Sequence, residues 1–326
     1  MRTGAKLKPI SDMRKIFPIL LIGLLTSCST NNNVIENKVF CFDTTVISKL
    51  YEGEQPNLDD IRDIFLYYDR VSDNYKDREG ITIKKIGSDP LTVEPQLYDL
   101  LKTSVEVKDK GATYFNPLCG SLSKKWKESL EKNEVLSDEI ITTEIDKITH
   151  SSIVFEEDNI LYKNGDAEID LGGIVKGYAL DKVNEYLKSQ NIEKYLINAG
   201  FSSILLGKKD TDDGYFTVKI SDLNNTYIKL QNCFVSTSSK AVQGVKIGDT
   251  TYSHIINPFT GSAINENDAV IVVSSSGALG DALSTSMMMN TVEEIKEIEA
   301  ALNVKCIVVK NKQVIYCNEG LELFRG

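Results

Sequence analysis

The 326-residue sequence predicts an α+β fold: one domain built on a mixed, largely antiparallel sheet with packed helices. Three observations lead there. Apolar residues recur at helical spacing in both halves of the chain. Short β-branched runs crowd the second half, several joined by turns too short to hold a crossover helix. No Pro- or Gly-rich linker, low-complexity tract or repeat divides residues 39–326, which favours a single domain.

The elements follow in chain order. Leu58, Ile61, Ile64, Phe65 and Tyr68 form one stripe and predict a helix from Asn57 to Ser72. Leu97, Leu100, Leu101 and Val105 repeat the spacing in a second helix that stops by Gly111. A third, from Gly172 to Gln190, carries Ala179, Val183, Tyr186 and Leu187 on one side. Strands are predicted at Tyr195–Asn198, Tyr215–Ile220, Cys233–Ser236, Tyr252–Ile256, Ala269–Ser274 and Lys305–Val309. Leu279–Asn290 and Val292–Leu302 read as helices.

Charge and residue counts narrow the function. The formal net charge of −10 argues against a protein whose main work is gripping nucleic-acid phosphate. Only His150 and His254 occur, which excludes an imidazole-rich zinc or non-haem iron centre.

The N-terminus reads as an export signal. Arg2, Lys6, Lys8, Arg14 and Lys15 precede an apolar run from Ile16 to Leu25, followed by Thr26-Ser27-Cys28. That run is too short to cross a bilayer core, which needs roughly 20 residues. Met13 offers a second start with a shorter basic region. Residues 1–27 are therefore expected to be removed, and residues 28–38, opening on Ser29-Thr-Asn-Asn-Asn33, to form a polar tether. Five cysteines follow Cys28 without any Cys-x-x-Cys pair; buried free thiols are expected, Cys306 and Cys317 being the nearest candidates for a disulfide.

Four segments carry chemistry. In Asp170-Leu-Gly-Gly-Ile-Val-Lys-Gly-Tyr-Ala-Leu-Asp181, paired glycines opening a helix let backbone N–H groups approach an anion, and Lys176 adds positive charge. The spacing is neither a Walker A loop nor Gly-x-Gly-x-x-Gly, and a plain tight turn is the competing reading. In Gly280-Asp-Ala-Leu-Ser-Thr285, Asp281 and Thr285 lie four apart on one helix face and offer oxygen to a hard cation such as Mg²⁺; a first-turn Asp complementing its own helix dipole is the alternative. His254-Ile-Ile-Asn-Pro-Phe-Thr-Gly261 puts a histidine near a strand end before a turn. Asn198-Ala-Gly-Phe-Ser-Ser203 runs a strand into a Gly turn, which an ordinary hairpin would also do.

Taken in order, these four segments resemble the ApbE family of FAD:protein FMN transferases, which are often exported lipoproteins. Looser similarity extends upstream through Tyr68-Asp-Arg-x-Ser-Asp-Asn-Tyr75 and Tyr114-Phe-Asn-Pro-Leu-Cys-Gly120, followed by Trp126. The Leu-x-Ser-Cys ending at Cys28 resembles a lipobox, which implies lipidation there and an extracytoplasmic, membrane-anchored location.

The resemblance implies Mg²⁺-dependent cleavage of the FAD pyrophosphate, with FMN passing to a Thr hydroxyl of an acceptor protein and AMP leaving. It assigns the metal to Asp281, Thr285 and the carbonyl of Gly173. It assigns FAD contacts to Tyr75, Tyr114, Phe115, Asn116, Asp170, Lys176 and Ile256. His254 is the candidate base, alongside Asp281 in the catalytic set; a flavin-positioning role is equally open to it. The implied acceptor is a subunit of a membrane redox complex or another extracytoplasmic electron-transfer protein.

This chain departs from the family pattern at three places. Asn198-Ala-Gly-Phe201 stands where Asn-x-Gly-Gly is common, Gly280 where Ala is usual, and Asp77-Arg-Glu-Gly80 where a further Asp-Ser is common. An FAD pyrophosphatase using the same metal site, a non-catalytic flavin-binding lipoprotein and a structural surface lipoprotein are the competing readings. The carboxylate at Asp281 weighs against the last two, since binding a flavin requires no metal ligand.

Overall fold

The computed structural model describes residues 34–220, 223, 225–241 and 244–326. The chain opens with β1 (Ile35–Cys41), β2 (Thr44–Leu50) and α1 (Gln55–Val71), then β3 (Leu91–Thr92) and α2 (Pro95–Lys110). Next come α3 (Gly120–Glu131), α4 (Asp138–Thr149), β4 (Ser152–Phe155), β5 (Ile160–Asn164) and α5 (Val175–Ser189). A run of strands follows: β6 (Tyr195–Ala199), β7 (Ser203–Leu206), β8 (Phe216–Lys219), β9 (Thr226–Leu230), β10 (Cys233–Ser239), β11 (Val245–Ile247) and β12 (Thr250–Tyr252). The chain closes with β13 (Ala269–Ser274), α6 (Gly277–Ser286), α7 (Val292–Leu302), β14 (Lys305–Lys310), β15 (Gln313–Cys317) and β16 (Leu323–Arg325).

Eight strands form the central sheet in the order β1-β2-β6-β7-β10-β13-β14-β15. Every pairing in it is antiparallel, and short turns join β1 to β2, β6 to β7 and β14 to β15. The middle of the sheet is covered on both faces. On one, Val270 and Val272 of β13 join the core shared with α1, α2, α5 and α6. On the other, Ala269, Ile271 and Val273 pack with Phe216, Val218 and Ile228 of the small sheet β16-β9-β8. A strand sandwiched this way is apolar throughout, which is why β13 reads Ala-Val-Ile-Val-Val without alternation.

The helices obey the predicted stripes. Leu58, Ile61, Phe65 and Tyr68 are the buried face of α1, and Leu97, Leu100 and Leu101 that of α2. Pro95 opens α2 and Gly111, at φ +148°, ends it. A capping box between Thr291 and Glu294 starts α7 at the predicted residue.

Several boundaries differ from expectation. The predicted strand Tyr252–Ile256 ends at Tyr252, because the Ser253 hydroxyl accepts the Ile255 N–H (3.0 Å) and turns the chain out of the ladder. His254 therefore lies in irregular backbone rather than on a strand. The tether expected over residues 28–38 is overtaken by β1, whose Ile35 already pairs with Leu50. Helices α3 and α4 fall in a stretch where no element was predicted. Residues 1–27 and the lipidation candidate Cys28 lie outside the described residues. Cys41, Cys119, Cys233, Cys306 and Cys317 are free thiols, and no described helix is long and apolar enough to cross a membrane.

Candidate active site

The site forms where the N-terminus of α5 meets the flank of α6. The paired glycines sit in the turn before α5, not inside it, and Lys176 is the second helical residue. Asp170 shapes that turn: its Oδ1 accepts the Gly172 N–H (2.7 Å), and its own N–H donates to the Pro117 carbonyl (2.8 Å). The residue before α5 supplies no side-chain cap. The missing acceptor comes from across the interface, where Asp281 Oδ2 takes the Gly177 N–H at 2.7 Å.

Asp281 is thus not a first-turn Asp serving its own helix. It is the fifth residue of α6, whose N-terminus is capped instead by Ser276 and by Asp181 of α5. At 5% exposure, Asp281 also receives the hydroxyls of Ser236 on β10 (2.6 Å to Oδ1) and Ser203 on β7 (2.8 Å to Oδ1, 3.1 Å to Oδ2). Burial raises its pKa; Lys176 and these hydrogen bonds oppose the rise. No ammonium or guanidinium lies within salt-bridge distance of it among the described residues.

One turn further along α6, the Thr285 hydroxyl lies near Ser238 (3.4 Å). It also adjoins Gly173, where an added Cβ would stand 3.3 Å from Thr285 Oγ1 and 3.2 Å from the Phe115 ring. The three expected metal ligands are therefore neighbours, although 108 and 112 residues separate Gly173 from Asp281 and Thr285 in sequence.

Lys176 links this group to His254. Its ammonium is close enough to depress the imidazole pKa and to lower that of Asp281. The His254 pKa is pushed down to about 4, by desolvation first and Lys176 second. The side chain is nonetheless solvent-exposed, the combination expected of a residue on the wall of a cleft. Solvent access weakens the desolvation contribution but leaves the direction and the charge at neutral pH unchanged.

The expected flavin contacts gather around the same edge. Tyr75, on the loop after α1, is exposed, with Lys127 and Lys124 of α3 over its ring at 4.7 and 5.2 Å. Its hydroxyl pKa is raised to about 12, by desolvation first and the Asp170 charge next. The Tyr114 N–H donates to Ser286 Oγ (3.0 Å), and its ring meets Phe259 edge-on at 5.7 Å. Phe115 is only 4% exposed, so its ring packs under Gly173 and only its backbone is available to a ligand. Asn116 spends its Oδ1 on the Leu118 N–H (3.0 Å). Ile256 is half-buried against the core. Trp126 secures the turn after His254, donating from Nε1 to the Gly261 carbonyl (2.8 Å).

Sequence reasoning missed Ser236 and Ser238 as members of the site, and it gave Ser203 and Asp181 no role although both close segments it singled out. A signal existed in β10, where Ser236 and Ser238 alternate onto a face that should have been apolar. The Asn198–Ser203 segment is the β6–β7 hairpin, with Gly200 and Phe201 both at positive φ. Asn198 Oδ1 receives the Phe201 N–H (2.8 Å), while its buried Nδ2 has no partner among the described residues. An open groove of about 580 Å³ runs along α5 and the start of α6, lined by Asp99, Lys102, Tyr178, Asp181, Lys182 and Ser276. It contains none of the expected site residues.

Comparison with known proteins places the fold and the chain among known relatives. A curated relative from Klebsiella pneumoniae, named FAD:protein FMN transferase, is 24% identical over 299 residues, covering 88% of this chain and 92% of its own length. The solved flavin transferase ApbE from Vibrio cholerae superposes with a TM-score of 0.70 at 21% identity, over 90% of this chain and 97% of that one. The ApbE protein from Thermotoga maritima gives 0.72 at the same identity and coverage. The sequence profile of the ApbE family matches residues 42–308, an interval that holds every described residue of the site, and the chain belongs to that family.

Proposed function

We propose that the protein moves FMN from FAD to a Thr hydroxyl of an acceptor protein and releases AMP. The observation that carries this reading is the convergence of Gly173, Lys176, Asp281 and Thr285 at one helix junction, in a chain related to proteins named FAD:protein FMN transferase.

The donor set fits Mg²⁺. It comprises a carboxylate, a hydroxyl and a backbone carbonyl, all oxygen, which suits a hard cation. A buried carboxylate without an ion-pair partner within reach is costly unless positive charge is supplied. Asp281, Thr285 and the Gly173 carbonyl would hold the ion, and a bound ion would neutralise charge on the two phosphates.

The chain's own residues account for the remaining steps. Lys176, with no salt-bridge partner among the described residues, attracts the pyrophosphate to the N-terminus of α5. The acceptor Thr oxygen forms the new bond to the phosphorus of the FMN half. The P–O bond to the AMP half breaks, and its electron pair departs with AMP. His254, neutral at pH 7, takes the Thr proton. Asp170, Tyr75 and the 114–116 backbone orient the flavin half.

Solvent exposure of His254 also gives water access, so hydrolysis of FAD to FMN and AMP is the second reading. One assay separates the two. The purified domain is incubated with FAD and Mg²⁺, with and without an acceptor bearing an Asp-x-x-Ser/Thr-x-Ala/Ser-Thr-like segment. Flavin fluorescence on the acceptor in a denaturing gel supports transfer; free FMN and AMP alone support hydrolysis; unchanged FAD rejects both. Asp281→Asn, which preserves side-chain size, is expected to abolish Mg²⁺-dependent turnover. The export signal and the Cys28 lipobox support an extracytoplasmic, lipid-anchored enzyme acting on membrane redox subunits; metabolic labelling with palmitate tests the anchor.

A further inference from the structure

We propose that Ser203 and Ser236 are positioning residues that orient the Asp281 carboxylate for its divalent cation, an inference that rests on the metal role of Asp281 above.

Both serines are 1% exposed and lie on the helix-facing side of the central sheet, among Leu205, Phe234 and Val270. A buried hydroxyl is costly unless it is hydrogen-bonded, so two of them on an apolar face require a partner. They share the same one. Ser236 donates to Asp281 Oδ1 at 2.6 Å, and Ser203 donates to Oδ1 at 2.8 Å and Oδ2 at 3.1 Å. The Gly177 N–H holds Oδ2 at 2.7 Å. Three separate elements, β7, β10 and α5, thus restrain one carboxylate. A group held from three directions cannot rotate to follow an ion, so its orientation is set before the ion arrives.

Gly280 supports the assignment. A Cβ there would lie 2.9 Å from Ser236 Oγ and 2.8 Å from Ser274 Oγ. The serine row and the absence of a side chain at 280 therefore belong together: α6 lies low enough on the sheet for Asp281 to reach the hydroxyls. Filling space alone would be met by alanine at 203 and 236; two donors aimed at one carboxylate would not.

The test uses Mn²⁺ as a probe, with the full-length protein free of FAD, for Ser203→Ala, Ser236→Ala and the double variant. Electron paramagnetic resonance of unbound Mn²⁺ measures affinity without any turnover. The expected result is roughly 10- to 100-fold weaker Mn²⁺ binding in the double variant, an intermediate loss in each single variant, and recovery in Ser203→Thr. In the activity assay the Mg²⁺ half-saturation should rise while KM for FAD at saturating Mg²⁺ stays constant. If wild type binds Mn²⁺ and the variants bind it equally well, the positioning role is overturned and the metal reading stands. If wild type binds no Mn²⁺, both fall. The single variants, each retaining one donor, keep the test decisive should the double variant fail to fold.

Discussion

Asp181 and Asp281 exchange helix caps across the α5–α6 crossing. Asp181 of α5 accepts the N–H groups of Gly277 (2.7 Å) and Ala278 (2.8 Å) and the Ser276 hydroxyl (3.0 Å) at the start of α6. Asp281 of α6 accepts the Gly177 N–H at the start of α5. Each helix completes the other's first turn, so the loop carrying Gly173 and the helix carrying Thr285 are locked in register. The crossing is close because both contact residues are glycine: a Cβ on Gly177 would stand 2.0 Å from the Gly277 carbonyl oxygen, and one on Gly277 would stand 2.3 Å from that of Gly177.

Gly177→Ala should therefore force the two helices apart. The obstacle is backbone, which cannot swing aside as a side chain would, and the cost is expected at or above the upper end of the about 1–3 kcal/mol typical of overpacking. Urea denaturation monitored by circular dichroism checks it, with Gly87→Ala as control, since nothing lies within 4 Å of a Cβ at Gly87. A Gly177→Ala midpoint equal to that of the control would contradict the close crossing.

His254 should make stability depend on pH on the acid side. Its pKa falls from 6.5 in the unfolded chain to about 4 in the folded one. Between those values the unfolded state binds the proton and the folded state does not, so stability rises with pH across that window and is lost as pH falls through it. Exposure of the ring allows solvent to screen the effect, so the readout is direction. Relative to His254→Gln, wild type should gain in denaturation midpoint from pH 4 to pH 6.5 and run parallel above it. As base, His254 should also keep the acid limb of kcat/KM below pH 6.5.

Trp126→Phe should loosen the segment that presents His254. The indole stacks on Tyr252 (5.6 Å between centroids) and donates to the Gly261 carbonyl, bracketing residues 252–261 at both ends. Losing the buried hydrogen bond should cost about 1–3 kcal/mol. KM for FAD should rise, because Ile256, an expected FAD contact, lies in the bracketed segment. Trp126 is the chain's single tryptophan, so FAD binding should quench its emission in wild type. Unchanged stability and KM in the variant would show that the segment is held elsewhere.

Lys176→Met should weaken FAD binding more than it disturbs folding. The ammonium has no salt bridge to lose among the described residues, and removing a charge-assisted contact to phosphate is expected to cost about 1.5–3 kcal/mol, roughly 10- to 150-fold in Kd. The salt dependence of FAD binding should flatten at the same time. Wild-type affinity and salt slope in the variant would place the pyrophosphate elsewhere.

How much of this was legible in the sequence varies by element. The stripes of α1 and α2, the apolar run of β13 and the box that starts α7 are local patterns, and each was readable within a few residues. Helices α3 and α4 escaped because their exposed faces are rich in Lys, Glu and Thr, and their apolar faces are narrow. The strand expected through Ile256 failed because one serine side chain competes for the backbone, an effect that periodicity does not register.

Motif order and helical or strand spacing are properties of the chain alone, and they carried the fold class, the family and the candidate residues of the site. What those residues do for one another was set by the packing. It showed Asp281 to cap a partner helix rather than its own and placed Gly173 beside Thr285. It gathered Ser203 and Ser236 onto one carboxylate and confined Phe115 to the core. The physical reason is that a buried carboxylate takes its environment from whichever donors the packing brings within 3 Å, and here they come from β7, β10 and α5, between 45 and 104 residues away in sequence.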